Sequence, residues 1–208
     1  MEQDVYNDPE HQKRLEHALE TAERVEIPDL LHSEYSGAPF ERCVDCGVNL
    51  LLPHAPTAPD QPPPLGYYQI AKHFVDDESV FEFALCRVCS EELQSEFSEK
   101  TRMALFEFIR ERQSFMHFSF DPKVWLSCCR FCQKSRGECR RFSISGVCVQ
   151  ASLILGPGPV MVCEECELEC NELISEQTRK RWDRFVDDNF DFPPGVDSQS
   201  PSNHPILI

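Results

Sequence analysis

The chain has 208 residues, twelve of them cysteine, and a formal net charge of −16 at pH 7. That acidity disfavours nucleic-acid binding, which needs clustered Lys and Arg to neutralise phosphates; the basic clusters are confined to Arg130–Arg141 and Arg179–Arg184. The cysteine density is below that of disulfide-stapled secreted scaffolds, no charged-then-apolar leader follows Met1, and no apolar run reaches membrane-spanning length. A non-membrane, cytoplasmic protein with reduced thiols is therefore expected.

In chain order, residues 9–26 read as an amphipathic helix, with Leu15, Ala18, Leu19, Ala22 and Val25 on one stripe, Pro9 near its start and Pro28 past its end. It is expected to dock on the module that follows. Cys43 and Cys46 then form a first Cys-x-x-Cys turn. A Pro-rich stretch comes next, with Pro53, Pro56, Pro59 and Pro62 at a spacing that matches polyproline II and then Pro63 and Pro64; it reads as a stiff surface insertion. Val80–Leu85 alternates like a strand leading into the second turn, Cys86 and Cys89. From Ser90 the pattern becomes helical, with Leu93, Phe97, Leu105 and Ile109 along a segment ending near Arg112.

The same order recurs: a turn at Cys129 and Cys132, a short strand-like run from Val147 to Leu155, a turn at Cys163 and Cys166, and a helical segment carrying Leu168, Leu173, Trp182 and Val186. "CRVCSEELQSEFSEKTR" from Cys86 aligns with "CEECELECNELISEQTR" from Cys163 at a constant shift of 77 residues, the shift that also relates Ser98 to Ser175. The half that bears the helix is thus duplicated. The residues after Pro193, rich in Ser and Pro, are expected to be a disordered tail.

A Cys-x-x-Cys turn presents two thiolates to one side of a metal, and a distant second turn completes a closed tetrahedral shell. The spacing predicts two structural zinc ions, one held by Cys43, Cys46, Cys86 and Cys89, the other by Cys129, Cys132, Cys163 and Cys166. The fold class expected is small, metal-stabilised α+β. It comprises an N-terminal helix and linker (1–38), a first treble-clef zinc finger of hairpin plus helix (39–118), a second (119–192) and the tail (193–208). Each helix starts at a second cysteine turn, where free N–H groups and the positive end of the helix dipole favour thiolates.

Four cysteines lie outside these turns. Cys128 could exchange with Cys129, but Cys129 has the required spacing; Cys139 and Cys148 could form a redox pair, although buried thiols acting as small hydrophobes are commoner; Cys170 has no assigned partner. His32, His54, His73 and His117 sit in no catalytic motif, and a closed four-thiolate zinc has no open position for substrate, so no enzyme is expected.

Within the second copy, "CRFCQKS" (Cys129–Ser135) and "LILGPGPVMVCEECELECNELI" (Leu153–Ile174) resemble the N-terminal zinc-binding domain of the ClpX unfoldase family. That domain begins Cys-x-x-Cys-Gly-Lys-Ser, has a Gly-Pro hairpin, and places a Leu-Cys-Asn-like helix after its second cysteine turn. The likeness covers residues 126–176 well, and 40–102 only through turn and helix. Gln133 departs from the family glycine, and the segment between the turns is longer around Ser145–Ala151. No Gly-x4-Gly-Lys-Ser/Thr phosphate loop occurs, so the ATPase engine of that family is missing. The resemblance implies a dimerising module that binds adaptors or substrates of chaperone and protease machinery. It also suggests that the two copies pair within one chain, as a pseudo-dimer in place of the family homodimer. Two alternatives remain: an acidic decoy or immunity-type protein that binds a basic partner, and a redox-switched zinc regulator.

Overall fold

A computed structural model describes residues 17–53, 66–112, 121–155 and 159–191. Its centre is a six-stranded antiparallel sheet in the order β1-β5-β4-β2-β3, with β6 beside β5 on the same edge of β4. The strands are β1 (Arg24–Glu26), β2 (Tyr67–Val75), β3 (Glu78–Cys86), β4 (Arg141–Val149), β5 (Ser152–Ile154) and β6 (Val160–Cys163). The helices are α1 (Arg87–Ser95), α2 (Glu99–Arg112), α3 (Pro122–Trp125), α4 (Glu164–Glu172) and α5 (Glu176–Asn189). Among the described residues no helix is long and apolar enough to cross a membrane.

The two halves share this sheet through β2 and β4. Tyr68 lies opposite the third cysteine of its own half, Cys86, just as Phe142 lies opposite Cys163. Three residues further on, Ala71 and Ser145 face each other across the β2–β4 pair. Equivalent positions therefore meet, and an approximate two-fold axis passes between them. Tyr68 opposite Cys148 mirrors Phe142 opposite Phe74, whose rings stack at 4.8 Å.

The helical face of the sheet obeys the same axis. Ser98 and Ser175, each just before a second helix, touch at 2.7 Å through their hydroxyls. The Ser98 N–H donates to Thr178 Oγ1 at 3.0 Å, and the Ser175 N–H donates to Thr101 Oγ1 at 2.9 Å. Each helix start is thus completed by the threonine of the other half, and Thr101 and Thr178 are buried. The crossing continues beyond the caps. Trp182 and Phe185 of α5 pack on Phe83 of the first half at 6.0 and 5.7 Å, while Phe108 of α2 packs edge-on against Phe131 of the second at 5.0 Å. Burying each such ring is worth about 2–3 kcal/mol, so the aromatic contacts bind the halves to each other.

One N-terminal segment covers the opposite face. Leu31, in a 3-10 turn at Asp29–Leu31, sits over Gly146, where an added Cβ would come within 2.9 Å of Leu153 Cδ1 and 3.2 Å of Leu31 Cδ1. Nearby, the fully buried Lys72 ammonium pairs with Glu34 at 2.9 Å and Glu82 at 3.2 Å and donates to the His32 carbonyl. Glu82 also accepts from the Ser33 hydroxyl at 2.8 Å, fixing the segment to the sheet.

Several sequence expectations change. Only residues 17–21 of the expected 9–26 helix are described as helical, and residues 9–16 lie outside the described residues. Arg24–Glu26 instead forms β1, because the open edge of β5 offers backbone partners that an isolated helix end lacks. Leu19 packs with Tyr67 of one half and Val149 and Ile154 of the other, not on the first half alone. The expected single helical run from Ser90 to Arg112 is broken into α1 and α2, since Ser98 begins a new, cross-capped helix. The strand-like run Val147–Leu155 is the end of β4, a turn, and β5. Most of the Pro-rich stretch and all of the expected tail (193–208) lie outside the described residues.

Candidate metal centres

Both first turns are built on the same hydrogen bonds. In the first, the Cys43 N–H donates to the Val48 carbonyl at 3.0 Å and the Gly47 N–H returns to the Cys43 carbonyl at 3.0 Å. In the second, Cys129 and Lys134 pair at 2.8 Å, and Gln133 and Cys129 at 2.9 Å. Such a turn needs a left-handed residue after its second cysteine, and Gly47 (φ 70°) and Gln133 (φ 62°) supply it. The Gln133 side chain offsets its strain by donating to the Cys129 and Arg130 carbonyls at 3.2 and 3.3 Å.

Each first turn then docks on its hairpin. Val44 N–H donates to the Ala84 carbonyl at 2.9 Å, and Arg130 N–H to the Met161 carbonyl at 2.8 Å. The second turns sit where β3 runs into α1 and β6 into α4, with Cys86 and Cys163 as the helix N-caps. Their N–H groups donate to the sulfurs of Cys43 and Cys129, each at 3.4 Å. This places four sulfurs together in each half: Cys43, Cys46, Cys86 and Cys89, and Cys129, Cys132, Cys163 and Cys166, all within 4.8 Å of one another. These are the two such cysteine groups among the described residues.

The donor set fits a tetrahedral ion. A four-thiolate zinc with bonds near 2.3 Å has sulfur–sulfur edges of about 3.8 Å. The Cys46–Cys86 and Cys132–Cys163 separations are 3.7 and 3.5 Å. Three sulfurs of each group are buried, and Cys46 and Cys132 are exposed at the rim. Electrostatics point the same way. Cys163 and Cys166 donate to Cys129 and hold its thiol far below the usual range, while the same hydrogen bonds push Cys163 and Cys166 up. Burial raises Cys86 to about 11 and lifts Cys89 further. Four close sulfurs competing for protons in this way are what a divalent cation relieves.

The remaining cysteines stay apart from the clusters. Cys128 is directed to the Gln133 side chain, at 3.6 Å from Oε1, so it does not exchange with Cys129. Cys139 precedes β4 and Cys148 lies near its far end, so at about 3.3 Å per residue they are some 25 Å apart. A disulfide needs Cα atoms within about 7 Å, so the redox pair that the sequence left open as the less common alternative is excluded. Burial raises both Cys148 and Cys170 to about 12, which makes them inert packing groups. Of the histidines, His54 and His117 lie outside the described residues, and the His32 carbonyl serves Lys72. His73 is buried on the helical face, 3.4 Å from Glu167 of α4, whose carboxyl burial pushes up to about 8. Sequence reasoning missed Glu167 and Lys72, because nothing in their spacing announces a buried charge.

No family model matches the chain, and neither a curated protein nor a solved structure does.

Proposed function

We propose that this chain is a non-catalytic, zinc-built protein-binding module in which two treble-clef fingers of the ClpX zinc-domain kind pair inside one polypeptide. The observation that carries the reading is the pair of closed four-cysteine clusters on halves that exchange helix caps across a shared sheet. Four thiolates leave zinc no open coordination site, so the metal acts in folding and shape and not as a Lewis acid. The likeness of residues 126–176 to the ClpX family supports adaptor or substrate recognition, and the lack of a phosphate loop separates it from unfolding. The shared sheet and the exchanged caps join the two copies within one chain, which supports a pseudo-dimer that is monomeric as a chain.

Native mass spectrometry is expected to find two zinc ions per chain and a monomer at micromolar concentration. One zinc or none, or a folded chain after complete chelation, would sink the reading. An immobilised zinc-loaded chain is expected to retain protein partners that a chelator releases; retention of nucleic acid instead would replace binding of protein with binding of phosphate. The net charge of −16 favours a second reading, a decoy for a basic partner, for which retention would fall steeply between low and physiological salt.

A further inference from the structure

The internal repeat serves as a control for what the fold requires at each cluster rim. Val48 and Lys134 are equivalent, since each carbonyl accepts from the first cysteine of its turn, at 3.0 and 2.8 Å. Val88 and Glu165 are equivalent, each two residues past the N-cap cysteine of its helix. In the second half these positions hold an ion pair, Lys134 Nζ to Glu165 at 2.6 Å. In the first half both are valines, 38% and 65% exposed. Val48 follows Cys46, the exposed cysteine, by two residues, and its carbonyl closes the cysteine turn on the Cys43 N–H, which places this valine at the cluster mouth. Packing does not demand apolar side chains there, because the other half fills the same positions with charge.

The charge around the valines is mostly negative. Asp45 is exposed beside the first cluster, whereas its equivalent, Phe131, is buried under Phe108. Glu41 and Glu92 are exposed as well. Arg87 is paired with Glu91 at 2.8 Å, and Arg42, held on the Gly47 carbonyl at 3.1 Å, keeps its charge but is outnumbered by Asp45, Glu41 and Glu92. Four thiolates around one divalent ion keep a net charge of about −2 on the cluster itself. An apolar pair in a negative surround fits a positively charged segment that carries an aliphatic side chain.

Resting on the binding-module reading above, we propose that the Val48–Val88 rim of the first cluster docks a basic peptide segment with an aliphatic residue between lysines or arginines, and that the second rim does not. The test uses the zinc-loaded full chain and fluorescence anisotropy with a labelled Lys-Leu-Lys-Leu-Lys-Leu peptide. Its Glu-Leu and Lys-Ser counterparts are the controls. The Lys-Leu peptide is expected to bind at least tenfold more tightly than either control. The double variant Val48→Lys/Val88→Glu copies the ion pair of the second half, so it retains the fold, and it is expected to lose binding at least tenfold while keeping two zinc ions. Val80→Ser, at an exposed apolar position on β3, is expected to change nothing. Equal binding by the double variant, equal binding of the Lys-Ser peptide, loss of binding on Val80→Ser, or no binding to a chain that carries two zinc ions would overturn this inference alone. A wild-type chain without two zinc ions would overturn the reading beneath it.

Discussion

Lys72 and Gly146 occupy equivalent positions in the two halves, one step beyond the Ala71–Ser145 pair, yet one is a buried cation and the other has no side chain. The reason lies in what covers them. A single segment, residues 27–34, crosses the face of a two-fold sheet, and one chain cannot present the same residues to both halves. Over β2 it brings the His32 carbonyl and Glu34 to Lys72; over β4 it lowers Leu31 onto Gly146. On the helical face the helices of each half pack against the other, and there Ser98 and Thr101 remain matched by Ser175 and Thr178. Equivalence thus persists at the exchanged helix caps, where the repeat packs on itself, and disappears beneath the unique segment.

Metal removal tests what both halves have in common and carries the largest expected effect. A structural four-thiolate zinc contributes on the order of 10–16 kcal/mol per site, so a chelator is expected to abolish cooperative folding, followed by circular dichroism. Cys129→Ser, which removes a fully buried sulfur, and Cys46→Ser, which removes an exposed one, are both expected to lower the zinc count to one; retention of two ions in either variant would remove that cysteine from its shell.

Substitutions on the unequal face come next. Gly146→Ala is expected to cost about 1–3 kcal/mol in urea unfolding, because its Cβ would meet Leu153 and Leu31. Lys72→Met is expected to cost a similar amount, about 1–3 kcal/mol, since it leaves Glu82 without its cation while the more exposed Glu34 is screened by water. An unchanged midpoint for both would mean that the N-terminal segment contributes little to the fold.

The matched face gives a smaller effect with a sharper signature. Thr101→Val and Thr178→Val are each expected to cost about 1–2 kcal/mol, and the double variant less than their sum, since each hydroxyl serves the other half. Strict additivity would argue against the exchanged caps. The smallest effect concerns the left-handed turn residues. Gly47→Ala is expected to destabilise by about 1 kcal/mol through its positive φ, whereas Gln133→Gly is expected to lie within about 0.5 kcal/mol of the parent, relief of strain offsetting two lost side-chain hydrogen bonds.

The local parts of the site were legible in the sequence. Cys-x-x-Cys is a short-range geometric statement, so the spacing of Cys43, Cys46, Cys129 and Cys132 already brings sulfurs together in pairs, and the alternation of Val80–Leu85 already describes β3. Residues whose state depends on a distant neighbour were misread. Arg24–Glu26 carries a helical stripe but lies beside the open edge of β5, and Ser90–Arg112 reads as one helix until Thr178 arrives to complete a cap at Ser98.

The sequence by itself determined the eight thiols, their grouping in fours and the duplication of the helix-bearing half, because each depends on residue type and spacing along the chain. The tertiary structure decided how the halves join: through β2 and β4, with helix caps exchanged and a single segment laid across the other face. Those contacts link residues such as Ser98 and Ser175, 77 positions apart, and their stability comes from burial and hydrogen bonds that exist only once both halves are folded.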